Sequence, residues 1–142
     1  MAFKLVSGRA VTMKFPVPAS QAFINGALAY ADGSGALIPA DATSGDHFGI
    51  IQKTIATTDS DYAVAKTANF IIPQDDNVFR VDVGTGTLTT AMIGNRYDLK
   101  DSVSIDVNAT SKKVVTIVGF VSSTVALVKI NATVSNVDVV TS

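Results

Sequence analysis

Apolar and polar positions alternate most clearly in the middle of the chain. Phe79, Val81 and Val83 alternate with Arg80 and Asp82, and Val103, Ile105 and Val107 alternate with Ser104 and Asp106. A period of two residues is that of half-buried strands. Two further segments, Val114 to Phe120 and Thr124 to Ile130, carry bulky apolar residues on both faces and read as the buried centre of a sheet or barrel. Turn residues separate these strands: Gly84 and Gly86, Gly94 and Asn95, Asn108 to Lys112, and Ser122 with Ser123. The pattern predicts a chain of antiparallel hairpins from Asn77 to Asn131.

Upstream, Val11, Met13 and Phe15 alternate with Thr12 and Lys14, and the Pro16-Val17-Pro18 step is expected to end that strand. Phe23 to Tyr30 and Ala36 to Ile38 flank a Gly-rich turn, the signature of a hairpin. His47 to Ile55 reads as a strand with Gly49 inside it, where a bulge or a close backbone approach is expected. Thr57 to Lys66 offers a short helix capped by Thr58 or Asp59, or else an exposed loop, and Asn69 to Ile72 resumes extended structure. The reading is a single all-β domain over residues 1–142, a small antiparallel β-barrel or sandwich with extended N- and C-terminal arms. The N-terminal arm covers 1–10, the β core 11–131 and the C-terminal tail 132–142.

Composition agrees with strands. Val, Ile and Thr supply 45 of the 142 residues and Leu only six, and all twelve acidic residues are Asp. At this length a domain buries about two thirds of its unfolded surface. There is no cysteine, which removes disulfides, thiolate chemistry and sulfur-ligated zinc. Eleven Lys plus Arg balance twelve Asp, so the basic field of a nucleic-acid binder is missing. The first fifteen residues hold no apolar run of signal-peptide length, and no apolar run is long enough to cross a membrane as a helix.

Candidate chemistry is sparse. The single histidine, His47, sits beside Asp46 and near Ser44, yet Gly33-Ser34-Gly35 lacks the spacing of a nucleophile elbow. Gly84-Thr85-Gly86 lacks the third glycine and the helix of a phosphate loop. The pairs Asp59/Asp61, Asp75/Asp76 and Asp98/Asp101 fit caps and turns and lack calcium-loop spacing. No catalytic, cofactor or metal residue is assigned, and enzyme activity is the weakest class.

The order GTGTLTT, IGNRYDL, a polar strand, a short Asn/Ser/Lys turn, then VVTIVGF and ALVKIN resembles the small all-β decoration, or cement, proteins that stud tailed-phage capsids. The stretch FINGALAYADGSGALIPA followed by HFGII is similar to the opening of the same family, so the likeness covers Thr12 to Asn131. It implies a non-enzymatic structural protein made in the host bacterial cytoplasm and placed on the outer capsid surface of the virion. It also implies a homo-oligomer, trimer or dimer, that binds the major capsid protein and bridges its subunits, with no nucleic-acid or membrane partner. Other virion β-modules (a head-fibre base, tail tube or baseplate part) and a sugar-binding adhesin module are the alternatives.

The termini and the Thr57–Lys66 loop are the candidate contact regions. Lys4, Arg9 and Lys14 would meet an acidic capsid surface, with Phe15, Tyr62, Val137 and Val139 as apolar contacts. The apolar tail suits folding back onto its own sheet, or strand addition to a neighbouring subunit or the shell, where backbone hydrogen bonds supply the affinity. Ala2 to Gly8 reads as a flexible arm with little to pack. Its deletion is then expected to weaken shell binding and leave melting of the domain unchanged.

Overall fold

The computed structural model describes residues 2–31, 35–42, 49–60 and 62–131. The architecture is all-β, as the alternation predicts. Its first half supplies β1 (Lys4–Ser7), β2 (Thr12–Val17), β3 (Leu28–Ala31), β4 (Leu37–Pro39), β5 (Gly49–Ile51) and β6 (Lys66–Ile71). The second half supplies β7 (Val78–Thr85), β8 (Arg96–Asp101), β9 (Ser104–Asp106), β10 (Val115–Ser122) and β11 (Val125–Ile130).

The second half closes on itself. Around the ring the order is β7, β11, β10, β8, β9 and back to β7, a five-stranded barrel. All its pairings are antiparallel except the last: β7 and β9 run parallel, with Val83 opposite Ile105. Parallel neighbours need a crossover. Here the chain makes it through β8 and returns as the antiparallel β8–β9 pair. Gly84 allows the close approach at this seam, since a Cβ there would stand 2.5 Å from Ser104 Oγ and 2.6 Å from Lys100 Cδ.

The length of β7 decides what happens to the N-terminus. One side of β7 is covered by β11, and the other is shared, with β9 on its second half and β1 on its first through Leu5 opposite Phe79. Residues 2–8 are therefore a docked strand, not the free arm expected from the sequence. Phe3 is only 4% exposed, joins the barrel core and meets Phe79 edge-to-face at 6.5 Å between centroids. The backbone N–H of Phe3 donates to Gly26 O at 3.0 Å. Gly26 has φ +92°, and a Cβ on it would lie 2.7 Å from Ala2 Cβ. We expect Gly26→Ala to destabilise the fold by about 2 kcal/mol, through left-handed strain and displacement of Phe3, readable from denaturant melts.

The first half forms a second sheet in the order β2-β6-β5-β3-β4, wholly antiparallel. Its edges β2 and β4 come within 8 Å between Cα atoms, so the sheet curls around a core of its own. Consecutive residues are divided between two interiors. Leu28, Ile50 and Ile71 join the barrel core, whereas Ala29, Ile51 and Phe70 face a second core with Val17, Phe23, Leu37 and Ile55. This explains Ile50-Ile51 and Phe70-Ile71, where apolar residues stand side by side without alternation: both faces of the sheet are buried. Phe70 anchors the second core, with Phe15 and Phe23 edge-on at 6.1 and 6.3 Å.

Several local expectations change. The β2 strand continues through Pro16 to Val17, which an edge strand tolerates because the missing donor faces away from the ladder. Residues 57–60 and 62–65 are turns and irregular chain with no helix, and the one short 3-10 turn among the described residues lies at Thr90–Met92. Gly49 behaves as anticipated, since its Cβ position is 3.0 Å from both Ile71 O and Phe70 Cβ. β10 is buried only in its first half: Val115 and Ile117 enter the barrel, but Val118, Phe120 and Val121 are exposed.

Candidate interaction surface

Cations collect on one sector of the barrel's outer wall. Because Phe79 and Val81 point inward, Arg80 points out; Lys4 pairs with it from β1, and Leu127 from β11. One row further along the sheet, Lys129 on β11 lies opposite Thr116 on β10, which lies opposite Arg96 on β8. Lys4, Arg80, Lys129 and Arg96 thus come from four strands and share a face. None of the four is near another in the sequence.

Arg80 is held in place on this wall, and its Nε is buried with no hydrogen-bond partner. Leaving such a donor unpaired costs stability. Acidic side chains stand close to these cations. Asp82, on the same face of β7, lies opposite Ser104 of β9, and Asp101 of β8 also pairs with Ser104. Among the described residues, Asp75 alone shares a cleft with Lys129, together with Gln74, Thr116, Ile130 and Asn131. The outer wall of the barrel thus carries cations on four strands, with Asp82 interleaved among them.

Beside Arg96 a broad depression of about 550 Å³ is lined by Gly94, Asn95, Arg96, Tyr97, Thr110 and Lys113, with no carboxylate among them. Asn95 Nδ2 donates to Tyr97 Oη at 3.2 Å. The rim is shaped by Asp98, buried beneath it, whose Oδ1 accepts the backbone N–H groups of Lys112 at 2.7 Å and Lys113 at 2.8 Å. Lys113 itself has φ 55°, and its carbonyl accepts from Asn131 Nδ2 at 2.8 Å. So the loop that carries Lys113 is fixed by one carboxylate and one amide. Lys113 and Arg96 both line this depression, which so carries two cations.

Other carboxylates have similar loop duties. Asp59 accepts from Ala56 N, Asp101 from Val103 N and Ser104 Oγ, and Asp106 from Asn108 N, all within 3.0 Å. This accords with caps and turns for Asp59, Asp98 and Asp101; Asp61 of the first pair lies outside the described residues. Among the described residues no group of three His, Asp or Glu is placed to hold one metal ion. His47, Ser34 and Ser44 lie outside them, and so does any arrangement they make. β7 continues through Gly84 and Thr85 with a register shift against β9 between Val83 and Thr85, and the bend is at Gly86.

The residues singled out from the sequence are scattered. Lys4 belongs to the cationic wall. Arg9 and Lys14 are exposed elsewhere, Arg9 in the connection after β1, where its carbonyl accepts from Asn77 Nδ2 at 3.1 Å, and Lys14 on β2 of the second sheet. Phe15 packs on Phe70, and Tyr62 packs on the second core while its hydroxyl donates to Ser20 O at 3.0 Å, so both are committed to the fold. Val137 and Val139 lie outside the described residues. Arg80, Lys129, Arg96 and Lys113 were missed. The only signal in the sequence was that three of them occupy the polar phase of apolar strands.

A second cleft of about 440 Å³ separates β1 from the curled sheet, lined by Phe3, Lys4, Asn25, Gly26, Gln52 and others. Gln52 there donates to the carbonyls of Ile50 and Ile51, so its amide closes the end of β5. The class that this geometry defines is an all-β protein with a closed five-stranded barrel and an appended curled sheet. No protein-family model matches the chain, and no curated protein sequence matches it.

Proposed function

We propose that the protein is a non-enzymatic structural component of a tailed-phage virion. It decorates the outer capsid surface, binds the major capsid protein and stabilises the shell by bridging adjacent subunits. The observation that carries this reading is the run from GTGTLTT to ALVKIN, which resembles decoration proteins and supplies the β8–β11 part of the barrel and the crossover into it. The cations on the barrel's outer wall add a physical means of attachment. A basic sector seated on an acidic shell surface accelerates encounter and fixes orientation. Many copies, each adding a modest binding free energy across a subunit boundary, hold the intact lattice by mass action.

The test is the stoichiometry of the polypeptide in purified particles, by quantitative mass spectrometry against the most abundant shell protein. A ratio of one, or a simple fraction of one, supports a lattice-wide decoration protein. A handful of copies points to a fibre base, tail or baseplate module, and absence from particles overturns the proposal. On that reading, Arg96→Glu with Lys129→Glu should lower shell occupancy by about tenfold or more, with melting nearly unchanged because both side chains are exposed. Raising salt from about 50 mM to about 500 mM should weaken the wild type in the same direction.

A further inference from the structure

The depression between the start of β8 and the 108–113 loop is walled by donors that the fold itself does not use. Among the described residues, Arg96 and Lys113 have no carboxylate partner, and the Thr110 hydroxyl makes no hydrogen bond. Tyr97 adds a buried donor. It is only 7% exposed, with its ring in the barrel core, and its hydroxyl oxygen accepts from Asn95 Nδ2. The O–H hydrogen of Tyr97 is left with no acceptor among the described residues. A buried hydroxyl costs stability until its hydrogen is paired, so an acceptor entering this depression completes it.

Both walls are fixed before any ligand arrives. On one, Gly94 N donates to Ile117 O at 2.7 Å, and Asn95 O accepts from Ile117 N at 2.9 Å. On the other, Ala109 O accepts from Asp98 N while Asp98 Oδ1 holds the amides of Lys112 and Lys113, so Thr110 lies between two anchored points. Lys113 and Ser20 are the non-glycine residues with positive φ among the described residues, a conformation that persists only where surrounding contacts over-determine it. The Asp98 carboxylate serves those amides and does not line the depression. Donors held in place in this way bind without the cost of ordering them.

We propose that this depression is a binding site for a phosphate or sulfate group. Charge and donor number select the ligand. Arg96 and Lys113 supply two positive charges, which match a tetrahedral dianion, whereas a carboxylate carries only one. A guanidinium takes two oxygens of such a group side by side, and the hydroxyls of Thr110 and Tyr97 suit the further oxygens that a carboxylate lacks. With a volume of about 550 Å³ the depression exceeds a bare ion and leaves room for the molecule that bears the group. The one aromatic ring in its lining is in the barrel core, so no ring face is offered to a base or sugar and the anionic group itself is what is recognised. The site belongs to the isolated chain and does not depend on the proposed virion role.

The experiment is a titration of the isotope-labelled full chain, read by backbone amide shifts, with inorganic phosphate, inorganic sulfate, methyl phosphate and acetate in turn. Low ionic strength and about pH 8 keep screening weak and phosphate close to doubly charged. Phosphate and sulfate should give saturable shifts confined to residues 94–97 and 110–113, with Kd on the order of 1 mM or tighter. Arg96→Gln and Lys113→Gln should each weaken binding by about tenfold with melting unchanged, and Tyr97→Phe, which keeps the ring, by about threefold. Methyl phosphate bound at least as well as phosphate supports an esterified group as the ligand, and a preference for phosphate supports the free ion. Acetate bound as tightly as phosphate overturns the proposal. So do shifts that fail to saturate by about 50 mM or spread equally to Lys4 and Arg80, the sign of a general charge effect. An affinity unchanged in any of the three variants overturns it as well.

Discussion

Phe3→Ala is expected to lower stability by about 3 kcal/mol, and removal of residues 2–8 by more. Phe3 is fully inside the barrel core, against Phe79, and truncation leaves a cavity at the junction of barrel and sheet. For a chain of this size the single substitution corresponds to a fall of roughly 10 °C in thermal midpoint. Deletion also removes the β1–β7 ladder and uncovers the first half of β7, including the Phe79 end. Loss of shell binding on deleting this segment would therefore not show that it touches the shell, because the fold is damaged as well. Lys4→Glu separates the two effects: it leaves Phe3 and the ladder in place and reverses one charge on the wall. Unchanged melting of the Phe3→Ala variant would mean that β1 does not dock in solution.

Asp98→Ala carries the second large effect. One carboxylate oxygen accepts two backbone N–H groups, and Asp98 N in turn donates to Ala109 O at 2.9 Å, so both ends of the 108–113 loop are tied to this residue. Losing the carboxylate strands two donors beside a buried site, at a cost of about 3 kcal/mol. Asp98→Asn keeps an acceptor oxygen and should cost roughly half of that, since hydrogen bonds to a charged acceptor are the stronger kind. Backbone exchange at Lys112 and Lys113 should accelerate in the alanine variant. The backbone of Lys113 also loses its anchor on the depression that Arg96 lines, so any partner bound there should be released faster. Equal exchange in wild type and variant would remove Asp98 from this role.

Much of the fold was legible in the residues. The alternation at Phe79, Val81 and Val83 and at Ile105 and Val107 marked β7 and β9, and the turn residues separated the strands of the barrel. Gly49 announced a close approach and made one. Two strands escaped. In β8, Tyr97, Asp98 and Leu99 are all buried, because a loop folds over the outer face at Asp98, so no polar phase remains to be read. In β1, Phe3 and Leu5 flank Lys4, but a four-residue edge strand is too short for its period to stand out from an arm.

The interaction surface was less legible than the fold. Lys4 was found because it sits in a basic terminal stretch. Arg80, Arg96 and Lys129 are isolated cations in separate strands, and only register brings them together. Phe15 and Tyr62 were read as contacts because an aromatic near an end or in a loop looks available. The curl of the second sheet packs both of them against its core.

Local chemistry was enough to settle the class. A surplus of β-branched residues, acidic groups that are all Asp, and alternating phases permit strands and turns and little else, since those preferences act within a few residues. What tertiary structure decided is where the strands meet. The parallel β7–β9 seam, the docking of β1 on the same strand, and the division of Ile50-Ile51 and Phe70-Ile71 between two cores all join residues distant in sequence. Each depends on strand length and register around a closed barrel, and a slip of one residue there would exchange the inner face for the outer.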